Sequence, residues 1–179
     1  MRSLILKMDI SLDGFVGASD GDVQWAVEDF GDPALQEFML AGLWDAGAHL
    51  MGRGAYDDMA PHWPTSTDIY APPMNEIPKV VFSSTLTDPA WADTRVVSGD
   101  LATEIARLKA EDGGPLVLHG GASFARALAG LGLIDEYRLY VHPVALGDGL
   151  PLFGERARLK LVESRTFATG VVASRLVPA

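Results

Sequence analysis

The chain of 179 residues contains no cysteine. Disulfides, thiolate zinc sites, iron–sulfur clusters and cysteine nucleophiles are thereby excluded together. Positive charge is also scarce, with 14 Lys and Arg against 24 Asp and Glu and a net charge of −10. A nucleic-acid backbone wants a basic face, so this balance opposes general binding to nucleic acid. No apolar run approaches the ~18 residues of a membrane span. The start offers only four apolar residues from Leu4 before Asp9, too few for a signal-peptide core, and a cytoplasmic location is expected. The histidines, His49, His62, His119 and His142, lie far apart and none has a metal-ligand spacing. No glycine run completes GxGxxG, because Gly52-Arg53-Gly54 meets Asp57 at the third position, and the runs from Gly130 and Gly147 fail in the same way. There is no Walker lysine after a GxxxxG run.

What is present suits one compact domain spanning 1–179, with 48% hydrophobic and 21% charged residues. Pro115 to Leu128, PLVLHGGASFARAL, reads as strand, tight turn and helix. Such a turn presents backbone N–H groups and the positive end of a helix dipole to an anion, most simply a phosphate. Further strands are expected at 4–9, 48–51, 79–82, 94–97 and 137–141, with a closing hairpin at 159–167 and 171–177. Asp32-Pro33 and Asp100 open helices. Residues 18–31 read as a loop carrying Trp25, able to pack on the core or to cover a site. The prolines from Pro61 to Pro78 predict an irregular connection that is neither helix nor central strand. Alternating strands and helices followed by strands alone indicate an α/β fold in three layers. Its mixed sheet is mainly parallel with antiparallel C-terminal strands.

Three strand ends share one design: Gly52-Arg53-Gly54, Ser83-Ser84 and Gly120-Gly121-Ala122-Ser123. Glycines admit a diphosphate to the backbone, serine hydroxyls donate to phosphate oxygens, and Arg53 offers a two-pronged donor. Each alone is an ordinary turn; together they suit a phosphorylated dinucleotide. Asp13, beside Gly14, either holds a turn or acts as a substrate-facing acid at the end of a central strand. His119 is either a packed histidine or a proton donor.

These residues resemble a family. Leu6-Lys7 with Ser11-Leu12-Asp13-Gly14, Met51-Gly52-Arg53, Phe82-Ser83-Ser84, His119-Gly120-Gly121, Gly132 to Glu136, Pro143-Val144, Leu146-Gly147 and Leu152-Phe153 follow one another along nearly the whole chain. In that order they are similar to dihydrofolate-reductase-like domains, close to the C-terminal reductase domain of riboflavin biosynthesis and its stand-alone relatives. The resemblance implies an oxidoreductase that uses NADPH to reduce a small pterin, pyrimidine or flavin-precursor type of substrate. It also implies a homodimer. Gly52, Arg53 and Gly54 would meet the phosphates, Ser83 and Ser84 the adenosine 2′-phosphate side, and Gly120, Gly121, Ala122 and Ser123 the diphosphate. Asp13 would be the catalytic carboxylate, and Trp25 and Phe15 would line the substrate side. A NADP-binding protein that senses or sequesters a ligand is the alternative. Two departures stand out: Gln36 falls near the acidic residue that binds the pterin in dihydrofolate reductases, and His119 replaces the glutamate common in the riboflavin-pathway enzymes.

Overall fold

The computed structural model describes all residues from 1 to 179. Its elements, in chain order, are β1 (Leu4–Ser11), α1 (Gln24–Val27), α2 (Pro33–Trp44), β2 (Ala48–Gly52), α3 (Arg53–Met59) and α4 (Ala71–Glu76). They continue with β3 (Lys79–Phe82), β4 (Thr94–Val97), α5 (Leu101–Ala110), β5 (Leu116–Leu118), α6 (Ala122–Gly130), β6 (Glu136–His142), β7 (Leu159–Thr166) and β8 (Val172–Pro178). One eight-stranded sheet runs β4-β3-β2-β5-β1-β6-β8-β7. All pairings from β4 to β6 are parallel, and β8 and β7 join antiparallel. The expected three-layer architecture with an antiparallel C-terminal edge is the one observed.

Alternation along the strands builds two cores, one on each face of the sheet. Leu4, Leu6 and Ile10 of β1 pack with Ile105 and Leu108 of α5 and Ala125 and Leu128 of α6. On the opposite face Met51 and Val81 meet Leu35, Met39 and Leu43 of α2, Tyr56 of α3 and Met74 of α4. Because β1 lies between two parallel neighbours, its other face must also be covered, yet it carries Lys7 and Asp9. They pair in register with Arg138 and Tyr140 of β6, and Ser11 with His142.

Helix starts on the α2 side show how the chain reaches this arrangement. Asp32 caps α2 by accepting from Ala34 N at 2.8 Å and Leu35 N at 3.3 Å, while its other oxygen accepts from Ala168 N at 2.9 Å. One carboxylate thus starts α2 and ties it to the β7–β8 turn. The proline-rich connection is more regular than its composition implied. Pro72 and Pro73 fall in the first turn of α4, where backbone N–H groups have no intrahelical acceptor and proline costs little. The segment read as a loop at 18–31 likewise contains α1 and a 3₁₀ turn at Glu28–Gly31.

At the end of the sheet where β2 and β5 begin, backbone touches backbone. A Cβ on Gly47 would lie 2.6 Å from Gly114 N, and Gly47 N donates to Pro115 O at 2.8 Å. Gly47→Ala is therefore expected to cost ~1–3 kcal/mol through overpacking that no side chain can relieve. Equilibrium urea unfolding checks this, and an unchanged midpoint would refute it.

Candidate functional site

The parallel strands β1, β2, β3 and β5 end at one rim, and β3, β2 and β5 are neighbours there. The three turns singled out in the sequence consequently meet. Gly52 N donates to Gly120 O at 3.0 Å. Arg53 donates through Nε to both oxygens of Asp57 at 2.8 Å, and its Nη1 lies 3.4 Å from Thr85 Oγ1. Ser83 Oγ accepts from Thr85 N at 3.2 Å and Leu86 N at 3.0 Å, shaping the turn in front of Arg53. The Gly120–Gly121 peptide is cis, and Gly120 has φ +97° with Met8 Cε 3.0 Å from where a Cβ would stand. Only glycine fits that position.

Among the helices of seven or more residues, the two that start on this rim differ from the other two; the short α1 and α4 also lack a side-chain cap. α2 and α5 are capped by Asp32 and Asp100. α3 and α6 begin at Gly52 and Gly121 with no side-chain cap, leaving their first N–H groups for an outside acceptor. Gly121 has φ −60°, which any residue adopts. A Cβ on Gly54 or on Gly121 would meet no protein atom within 4 Å. Backbone strain does not demand glycine at Gly121; the space in front of it is what the absent side chain preserves.

Gly54 and Gly121 open onto a cavity of about 590 Å³. Lys7, Met8 and Asp9 of β1 form its floor, and His119 and Ala122 one wall. Trp25, Val27 and Phe30 cover it, with Met59, Trp63 and Tyr70 closing the far side. The aromatic expected on a covering segment, Trp25, is thus at the cavity. Phe15 is not part of this lining: it forms an isolated bridge with Pro151 and packs above Gly149. Asp13 is also outside it. Its Oδ1 accepts from Ser11 Oγ at 2.6 Å and Leu146 N at 3.1 Å, and its Oδ2 from Gly147 N at 2.7 Å. Those hydrogen bonds, led by Ser11, hold its pKa below the ordinary carboxylate value and fasten the 146–147 turn to the end of β1. Gln36 donates to Phe30 O at 2.6 Å and so braces the covering segment.

The most concentrated polar structure at the cavity was not read from the sequence. His142, fully buried, lies between two carboxylates, with Nε2 3.0 Å from Asp9 Oδ1 and Nδ1 2.9 Å from Asp29 Oδ2. Lys7 Nζ lies 3.6 Å from Asp9 Oδ2. Trp25 meets the imidazole edge-on, with centroids 5.5 Å apart. Burial alone would lower the pKa of His142, but the hydrogen bonds and charges of Asp9 and Asp29 outweigh it and the net shift is upward. Burial would raise that of Asp9; Lys7 and His142 reverse this and hold it below the ordinary value. An imidazolium donating from both nitrogens satisfies both acids. Because Asp9 is on β1, His142 on β6 and Asp29 on the covering segment, this chain fastens the cover to the sheet. A signal for it was available: two charged residues, Lys7 and Asp9, on one face of a central strand must find buried partners.

The pair of histidines His49 and His119 behaves oppositely. Pro73 O can only accept, so His49 donates to it through Nε2 at 3.1 Å and accepts at Nδ1 from His119 Nε2 at 2.9 Å. Burial drives His49 down to about 4, and burial followed by the neighbouring His49 takes His119 well below its ordinary value. His119 is therefore a packed, neutral histidine with its N–H committed, not a free acid.

A parallel sheet covered on both faces, with glycine turns at the rim and an antiparallel edge, defines the dihydrofolate-reductase-like class of α/β proteins. Residues 2–173 match the RibD C-terminal domain, and the chain belongs to that family. It is 34% identical over 181 residues to uncharacterized protein YyaP of Bacillus subtilis (strain 168), across 96% of this chain and 92% of that one. A solved structure from Shewanella sp. PV-4, named for riboflavin biosynthesis, has a TM-score of 0.78 at 22% identity and covers 99% of both chains. The diaminohydroxyphosphoribosylaminopyrimidine deaminase/5-amino-6-(5-phosphoribosylamino)uracil reductase of Thermotoga maritima has a TM-score of 0.71 at 16% identity, covering 99% of this chain and 57% of that one. No helix is long and apolar enough to cross a membrane.

Proposed function

We propose that the protein is an NADPH-dependent reductase acting on a small heterocyclic or carbonyl substrate. The observation that carries this reading is the uncapped starts of α3 and α6, with side-chain space left open in front of Gly54 and Gly121. Free N–H donors at glycine turns are suited to a diphosphate. Gly52, Gly54 and Gly120 to Ser123 would hold it, while Arg53, Ser83 and Ser84 would take the 2′-phosphate end. Bound there, NADPH would supply a hydride, and the protein has to orient the acceptor and keep water away. Asp9 and Lys7 orient the polar edge of the substrate; Trp25 and Phe30 exclude water above it. Asp13 serves this arrangement from outside, by holding the 146–147 turn.

Two variants test the cofactor end. Gly121→Val should leave the unliganded melting temperature unchanged, because nothing in the protein occupies that space, and should abolish the upward shift caused by NADPH. For the unaltered protein that stabilisation is about 2.7 kcal/mol at a free concentration ~100 times Kd. No thermal protection by NADPH far above micromolar concentration would refute the assignment. Arg53→Ala should weaken NADPH binding ~10-fold while changing NADH little, since only the former offers a phosphate to the guanidinium. Equal losses for both would remove Arg53 from the 2′-phosphate.

A further inference from the structure

The cavity sorts its charges in a way that bears on the substrate. No arginine lines it. Its cationic side chain, Lys7, is already paired with Asp9 at 3.6 Å. The other ionisable groups on its wall besides Asp9 are Asp58, the exposed His62, the neutral His119 and Tyr70. The remaining wall is mostly apolar and aromatic, with Trp25, Phe30, Trp63 and Tyr70 around the space. Arginines lie elsewhere: Arg53 beside Thr85, and Arg138, Arg165 and Arg175 along a separate groove between α2 and the β6–β8 strands.

A phosphate monoester carries between one and two negative charges at neutral pH, and its recognition normally needs a guanidinium or several free N–H donors. Within this cavity it would exchange water for two carboxylates, aromatic rings and an ammonium group already held by Asp9. Desolvating it there is unfavourable, and the like charge of Asp58 adds to the cost. A flat, uncharged ring system meets the opposite situation. Its faces pack on the aromatic walls, its N–H groups donate to Asp9, and a carbonyl accepts from Lys7.

We infer that the substrate side of the cavity takes an uncharged, planar heteroaromatic or conjugated carbonyl compound that bears no phosphate ester. This rests on the reductase reading above and narrows it, because it separates the substrate from the phosphoribosylated uracil named for the Thermotoga maritima protein. The phosphate-binding turns belong to the cofactor alone.

Two matched pairs of probes test it by calorimetric titration into protein saturated with NADP⁺: riboflavin against FMN, and uridine against uridine 5′-monophosphate. Within a pair only the phosphate differs. In at least one pair the unphosphorylated member should bind at least ~10-fold more tightly, and Asp58→Arg should reduce or reverse the difference. Equal or tighter binding of the phosphorylated members, or no binding by any of the four, overturns the inference. The titration of NADP⁺ itself reports separately on the cofactor. Binding of NADP⁺ without discrimination between the probes defeats this inference alone. Discrimination without binding of NADP⁺ defeats the cofactor assignment and leaves the exclusion of phosphate standing.

Discussion

Replacing His142 by alanine is expected to destabilise the protein by about 3–5 kcal/mol and to abolish the proposed reductase activity. The imidazole is wholly buried and hydrogen-bonded to Asp9 and Asp29. Its removal leaves two carboxylates facing a cavity with only Lys7 to compensate Asp9, and breaking a buried pair from one side costs about this much. The damage has a direction, because Asp29 belongs to the covering segment and loses its anchor on the sheet. Trp25, packed edge-on against the same ring, should then show red-shifted fluorescence before the global urea transition. His142→Gln provides the contrast: its amide can still donate to one carboxylate, and it should recover part of the stability. A loss below ~1 kcal/mol for the alanine variant would show that these groups behave as a surface-like ion pair and do not fasten the cover.

Acid should weaken the protein through the His49–His119 pair, and well before the carboxylates titrate. His49 falls from 6.5 to about 4 on folding, and His119 moves in the same direction. Between those values the unfolded chain binds protons that the folded chain refuses, so stability decreases as pH falls from 6.5. For His49 the loss amounts to about 3 kcal/mol by pH 4. His142 has the opposite sign: its folded value is raised. Its contribution is complete below its unfolded value of 6.5 and disappears as pH rises through the folded one. Urea unfolding at half-unit steps from pH 4 to 9 should therefore give a maximum near neutrality. His49→Gln should flatten the acid limb and His142→Gln the alkaline one. An acid limb that survives undiminished in the His49→Gln/His119→Gln double variant would assign it to carboxylates instead.

Architecture and the position of the rim turns were legible in the sequence because both are written locally. A short apolar run followed by glycine and a helical pattern identifies β2 with α3 and β5 with α6 without reference to any distant residue. The polar chain was not legible, since Asp9, Asp29 and His142 come from three remote stretches and meet only through the β1–β6 register and the fold of the cover. Asp13, beside Gly14, is the conspicuous acid in the sequence, and its carboxylate closes a turn, while Asp9, four residues earlier and inside β1, reads only as an interruption of apolar residues. The prolines before β3 misled for a different reason: composition marks where helices are costly, but position within the first turn decides whether the cost is incurred.

The two ends of the cavity are drawn from different parts of the chain. Glycine turns after β2 and β5 shape one end, whereas Val23 to Phe30 roof the other and reach the sheet through Asp29. Roof and turns can consequently change independently in evolution or in the laboratory. Exchange of residues 23–28, leaving Asp29 and Phe30 in place, would alter the lining of the covered end while the glycine turns stay the same. On the proposed reductase reading, a scaffold divided in this way can diversify its chemistry at the roof without reinventing its source of electrons.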